Sequence, residues 1–395
     1  MPYPYKAMLA ICSDLDETPD RRVYWEIMRF LNTRQETAIG PGLGLEVGNS
    51  IYFDMPQDQF AYWNTDDVGR TMVHTLIRSG HIDCLHSFGD LATTRVHAER
   101  ALDELVRYDS RLSVWVDHGV APSNFGADIM SGMGDVPESA VYHADLTCAF
   151  GIKYVWRGRV TSIIGQNLPR SLQSIYNARY PLKSARTLMK EFLKGSVSRG
   201  QHAKYAMHVS NDLLRDSQLR SGHAVCEFIR ANPHWGGVSC GETADGLAEV
   251  LNERMLTRLI QREGVCILYT HLGKCRQPTE PLGHATRVAL QRLARLFSEG
   301  CILVSTTYRL LNYCNLLRTL NVETRVQEGK LRIFVGSSDP TINDYSGLSF
   351  HVPDPDHTEV WINGSAVHGL RRHRPDNGDH PSVSIPWQRL EFPSV

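Results

Sequence analysis

KAMLAICSDLDET, residues Lys6 to Thr18, is the stretch from which the chain is read. Its mostly apolar run, Ala7 to Cys12, is short and continuous, the pattern of a strand covered on both faces. Two carboxylates, Asp14 and Asp16, follow where that strand must stop, with Ser13 and Thr18 around them. Acidic groups at the carboxyl end of a buried strand stand where α/β sheets and barrels gather their chemistry. A helix starting near Pro19 needs one carboxylate as its cap, so capping alone does not account for the pair.

The same pattern recurs along the chain. Arg21 to Thr33 carries Val23, Ile27, Phe30 and Leu31 at helical spacing. A glycine-rich segment follows, without the GxGxxG spacing of a phosphate loop, and Leu45 to Phe53 reads as one or two strands. Val68 to Ser79 is a second helix, closed by Gly80. Ile82 to Leu85 is a strand that ends in His86, Ser87 and Asp90. A helix over Thr94 to Tyr108 leads to a strand over Leu112 to Val116, which ends in Asp117, His118 and Gly119. Later, Gly264 to Tyr269 is a buried strand ending in Thr270 and His271, and Ala285 to Ser298 is a helix before the strand Cys301 to Val304. Parallel strands point the same way, so these polar ends are expected on one face, near Asp14 and Asp16.

The middle is less regular. GIKYVWRGRV reads as a strand pair, while Lys183 to Lys194 and Glu253 to Gln261 read as helices. His208, His223 and His234 read as satisfied loop or core histidines, and Trp115, Trp156 and Trp235 as packing residues before sugar platforms. From about Val322 short alternating segments separated by Asp, Pro, Asn and Gly turns indicate an antiparallel β module of the sandwich type. The expected division is a catalytic domain over 1–320 and a β module over 321–395.

Composition narrows the partners. The 395 residues include 42 basic and 43 acidic ones, and no charge run points to nucleic acid or a membrane. Nine cysteines are scattered with no CxxC pair, as expected of reduced core thiols. The early strand leaves no room for a signal peptide, and no apolar run approaches a membrane span. The expectation is a cytoplasmic enzyme, alone or as a homo-oligomer.

One imidazole and two carboxylates form a usual ligand set for a divalent ion that keeps a position open for water. Asp16, His86 and Asp90 supply that set, with the four-residue step from His86 to Asp90 read as a turn just past a strand. Asp14 is then the general base and His271 the general acid.

At these residues the chain resembles the polysaccharide deacetylase superfamily, the NodB-homology barrels. That family carries paired aspartates after its first strand, an H-[ST]-x-x-H metal motif, and a catalytic histidine in a late L-x-H segment. Here SDLD, HSFGD and LYTHLGK stand in those places, with Leu15 between the aspartates and Asp90 where the second metal histidine is expected. Leu15 leaves open which aspartate is base and which is ligand. The resemblance spans roughly residues 5–315 and leaves the tail uncovered. It implies a (β/α) barrel of about seven strands, removal of an N- or O-acetyl group from a carbohydrate, and Zn²⁺, with Co²⁺, Mn²⁺ or Ni²⁺ as substitutes. WVDHG and APSNFG stand where the family holds its substrate, which makes Asp117, His118, Asn124 and His143 candidates for sugar hydroxyls, His118 also for a further metal contact.

Two alternatives use the same residues. DLDET fits the D-x-D-x-T motif of haloacid-dehalogenase-type phosphatases, with Asp14 as nucleophile, Asp16 as acid/base and Mg²⁺ bound. Ser305, Lys330 and Asp339 or Asp344 would serve its later motifs, at the cost of turning most of the chain into a cap. The other alternative is a non-catalytic carbohydrate-binding barrel, suggested by the altered metal motif.

Overall fold

Strand β1 (Ala7–Ser13) is buried along its whole length and has neighbours on both edges, so both of its faces are covered and its backbone is paired on either side. These and all later coordinates are those of a computed structural model. It describes every residue except 15–17, 170–174, 177, 179, 200–205, 234–242, 275–279, 375–379 and 395, and leaves out the side chains of 198, 199 and 206.

The other strands of the main sheet are β2 (Asn49–Ile51), β3 (Ile82–His86), β4 (Val114–Val116), β5 (Tyr154–Trp156), β6 (Val160–Thr161), β7 (Leu214–Gln218), β8 (Ala224–Phe228), β9 (Arg230–Ala231), β10 (Val265–Thr270) and β11 (Ile302–Ser305). Their order is β6-β9-β10-β1-β2-β3-β4-β5-β8-β7, with β11 also on β1. All pairs are parallel except β7 with β8. The sheet is curled into a half-barrel: the run containing β8 and β9 lies against β5 at one end and β6 at the other. β1 pairs with β10 from Met8↔Val265 to Ser13↔Thr270, while β11 and β2 share its other edge.

Helix α1 (Arg21–Asn32) is capped by Asp20, whose carboxylate accepts the N–H of Arg22 at 2.7 Å and of Val23 at 3.1 Å. Capping thus falls to Asp20 and leaves Asp14 for other contacts. Helices α2 (Asp67–Arg78) and α3 (Arg95–Arg107) connect the next strands. They are followed by α4 (Pro181–Arg199), α5 (Glu253–Arg262), α6 (His284–Ser298) and α7 (Thr307–Thr319). Gly80 takes φ +79° after α2, as a helix-terminating glycine does. Among the described residues no helix is long and apolar enough to cross a membrane.

Three elements differ from the sequence reading. Only Asn49–Ile51 of the expected strand over Leu45 to Phe53 forms one. Before it, the backbone of Val47 is taken by the Asn32 side chain, whose Oδ1 accepts at 2.7 Å and whose Nδ2 donates at 3.2 Å. β5 and β6 do not pair with each other as a hairpin but lie side by side against β8 and β9. Helix α7, which the sequence reading passed over, runs directly into β12 (Leu320–Gln327).

The C-terminal part holds two small sheets. β12, β13 (Lys330–Ser337), β15 (Thr358–Ile362) and β16 (Ser365–Ala366) form one, and β14 (Ser349–His351), β18 (Ser382–Ser384) and β17 (Arg371–His373) the other. Pairing is antiparallel except between β13 and β15. This part packs under the amino ends of the main strands: Lys153, just before β5, binds Asp339 at 2.6 Å, and His81, just before β3, meets the Phe392 ring at 5.0 Å. Glu46 is the main anchor. Buried at 1 % exposure, it binds the Arg309 guanidinium, accepts the Leu390 N–H at 3.0 Å and receives Ser305 Oγ at 3.4 Å.

Glu46→Ala leaves the mostly buried Arg309 without its carboxylate partner, with Gln388 O and the Trp387 ring still on it, which should destabilise the protein by about 3 kcal/mol. Chemical denaturation measures that loss. Limited proteolysis should then cut first in the 385–394 segment, and unchanged stability with an uncut tail would show that Glu46 is no anchor.

Candidate functional site

The carboxyl ends of β1, β3, β9 and β10 meet. The Asp14 N–H donates to Thr270 O at 3.0 Å, and the Leu272 N–H donates to Ser13 Oγ at 3.1 Å, so the ends of β1 and β10 are clipped together and His271 is brought beside Asp14. Asp14 Oδ2 lies 3.0 Å from Arg230 Nη1, 3.5 Å from His86 Nε2 and 3.9 Å from His271 Nε2. Its other oxygen accepts Ser50 Oγ at 3.1 Å. Burial by itself pushes the Asp14 carboxyl up, but Arg230, with His86 and His271, holds it well below the usual carboxylate range.

Arg230 has no exposed surface and lies over the Trp156 ring at 4.1 Å and the Tyr269 ring at 5.2 Å. Sequence reasoning did not single it out. A signal existed: an arginine inside the apolar run AVCEFIRA requires a buried counter-charge. Tyr52 was likewise not singled out, and it packs edge-on against the His86 ring at 4.3 Å and the His118 ring at 5.1 Å.

His86 and Asp90 are linked by a turn of unexpected hand. Ser87, Phe88 and Gly89 have φ of +48°, +62° and +103°, a left-handed run where one right-handed turn was expected. Phe88 O accepts the N–H of Asp54 at 2.9 Å, and Ser87 O accepts Ser123 Oγ, so the strained backbone is held from two sides. A Cβ on Gly89 would lie 2.1 Å from Asp54 O, so only glycine fits. The turn leaves Asp90 Oδ1 2.8 Å from His118 Nδ1, and the His118 ring lies 4.9 Å from that of His86. His118 therefore sits between the two residues that the motif HSFGD joins. Asp16 lies outside the described residues, as do His234 and Trp235.

The other expected substrate contacts sit inside the loop that follows β4. Asp117 is fully buried, and its carboxylate accepts Trp115 Nε1 at 2.7 Å and the N–H groups of Phe125 at 2.9 Å and Gly126 at 2.8 Å. Burial raises its pKa to about 7 against the pull of these donors. Asn124 clips the same loop, accepting the His118 N–H at 2.9 Å and donating to His118 O at 3.0 Å. His143 is buried, with Nδ1 2.8 Å from Thr147 Oγ1 and Nε2 2.8 Å from Ser123 O. These three residues hold the loop that presents His118, and among the four only His118 reaches the rim. Trp115 and Trp156 are core residues, and His208 is buried 3.6 Å from Glu191.

Comparison with protein-family models, with curated proteins and with solved structures finds no match to this chain. Among the described residues no three His, Cys, Asp or Glu side chains are grouped closely enough to hold a metal ion.

Asp117→Asn sets an amide NH₂ against N–H donors and should cost about 2 kcal/mol. Urea denaturation checks it, and a neutral effect would mean that these bonds do not hold the loop. Burial lowers the His143 pKa to about 4, so the unfolded chain binds the extra proton first as pH falls. Its contribution is complete above the ordinary histidine value near 6.5 and is lost as pH drops toward 4, about 3 kcal/mol in all. Burial lowers His74 and His81 to about 4 as well, so replacing His143 by Gln should make the fall of stability across that window shallower without removing it, and an unchanged slope would contradict it.

Proposed function

We propose that this protein is a metal-dependent hydrolase that removes an acetyl group from a carbohydrate, on a barrel of the NodB type. The observation that carries the reading is the convergence on Asp14: His86 Nε2 at 3.5 Å, His271 Nε2 at 3.9 Å, and His118 packed 4.9 Å from the His86 ring. The barrel reading is supported by the run through β8 and β9, which lies against β5, β6 and β10.

The donor set suits a borderline ion such as Zn²⁺, since it offers imidazole nitrogen and carboxylate oxygen together. In this reading His86, His118 and Asp16 would hold the ion. Asp90, expected as a ligand, instead orients His118: its carboxylate on Nδ1 keeps the proton there and leaves Nε2 as the donor atom. A bound divalent ion supplies Lewis-acid polarisation of an acyl carbonyl and acidifies water. The rest falls to the chain. Asp14, kept ionised by Arg230, accepts a proton throughout the neutral range. The same pairing weakens it as a base, which is why it needs a Lewis acid beside it. His271, whose Nε2 lies 3.9 Å from the same carboxylate, delivers a proton to the departing amine or alcohol.

The phosphatase reading finds less support. Lys330 pairs with Glu359 at 2.7 Å, Asp339 with Lys153 at 2.6 Å, and Ser305 lies alongside Ala10, short of the end of β1.

His86→Ala and His118→Ala should each abolish Zn²⁺ retention after dialysis, and Asp90→Ala should weaken it about 10- to 100-fold. His271→Ala should keep the metal and slow acetate release from acetylated chitooligosaccharides or xylan by about 10²-fold or more. Full metal occupancy in His86→Ala overturns the ligand assignment. Release of phosphate with Mg²⁺, and of no acetate with Zn²⁺, sinks the deacetylase reading. A wild-type protein that retains no ion favours the non-catalytic barrel.

A further inference from the structure

Helix α4 carries its polarity the wrong way round for a helix that only packs on a sheet. Ser184 and Glu191 face inward, fully or almost fully buried, and Glu191 lies 3.0 Å from Lys194 and 3.6 Å from His208. Leu182, Met189, Phe192 and Leu193 face solvent at 86 %, 60 %, 72 % and 53 % exposure. At 100° per residue, Leu182, Met189 and Leu193 fall in one line opposite Glu191, with Phe192 beside it. A soluble helix normally turns such a stripe to the core, and a stripe left outside marks an interaction surface.

The charge beside the stripe identifies the partner. Exposed Lys183, Arg186 and Lys190 run along one flank, while Glu191, the only acidic residue of the helix, is on the inward side. The positive surface continues past the first turn into a concavity of about 930 Å³, lined by Tyr180, Lys183, Arg254 and Arg258, with Glu249 and Glu253 also on its wall. Partial burial lowers the Arg254 and Arg258 guanidinium pKa values, and the next arginine along α5 adds a smaller push in the same direction.

We propose that α4 lies flat on an anionic membrane surface, its Leu182–Met189–Phe192–Leu193 stripe in the acyl boundary and its basic flank among the headgroups. A lipid surface fits because the stripe runs along one helix axis, so these side chains reach a similar depth, and lysine stems can lie along the apolar boundary while their ammonium groups stay wet. A second copy of the chain fits less well, since it would bring basic flanks near each other. The absence of a membrane span, from which no membrane contact was expected, does not bear on this, since a surface-lying helix needs no span.

Vesicle co-sedimentation of the whole chain tests it. Phosphatidylcholine vesicles containing phosphatidylglycerol should pull the protein down at low salt and release it at high salt, and phosphatidylcholine alone should not bind it. Met189→Ser with Phe192→Ser, both outside the core, should weaken binding at least tenfold with an unchanged circular dichroism spectrum. Lys183→Ala and Lys190→Ala should each weaken it about fivefold. The proposal is overturned if the anionic vesicles leave the protein in the supernatant at low salt, or if the serine variant binds as well as wild type. It is equally overturned if sedimentation velocity shows a dimer that the serine variant dissolves while neither protein binds vesicles.

Discussion

The contact between Asp14 and Arg230 is the constraint around which the rest of the sheet is arranged. Asp14 directly follows β1 and Arg230 opens β9, two strands separated by β10, so the pair spans β10 with Arg230 over the ring of Tyr269. Both groups are buried, and a buried charge with no partner costs several kcal/mol. The curl of the sheet and the pair therefore support each other: flattening the sheet would separate two buried charges. Trp156 contributes from a third strand by covering the guanidinium with its ring.

That arrangement separates the two ends of the sheet by chemistry. At the carboxyl ends sit His86, His118, His271 and Asp14, held by a left-handed turn and by a loop whose polar side chains are turned inward. At the amino ends the C-terminal segments pack against the strands through Glu46, Lys153 and His81. Strain and partial exposure collect at the first end, and ion pairs and ring stacking at the second. This division is the one expected of parallel α/β sheets, in which one face carries chemistry and the other stability.

Elements with a strong local signal were legible from the residues alone. β1 and β10 are continuous apolar runs, α1, α3 and α6 have apolar residues at helical spacing, and Gly80 marks a helix end, so each of these emerges from backbone and hydrophobic periodicity. The expectation that polar strand ends gather on one face also follows from sequence, because parallel strands point the same way. On that basis the sequence alone groups Asp14, His86 and His271.

What only the tertiary structure decided depends on partners far apart in the chain. HSFGD reads as a helical turn, yet Phe88 O bonding to Asp54 and Ser87 O to Ser123 impose the opposite hand, and with it the placing of Asp90 on His118. Arg230 is 216 residues from Asp14, so no local pattern could pair them. Asp117, Asn124 and His143 look like ligands in sequence because polar types after a strand suggest a site; their surroundings, a loop that buries them, give them backbone to hold instead. Helix α4 is the reverse case: a helix over Lys183 to Lys194 is legible in the chain, but which side faces water is set by Glu191 meeting Lys194 and His208 beneath it. Hydrophobic period and strand polarity are written in the chain, whereas hand, burial and charge pairing emerge when distant segments must satisfy one another.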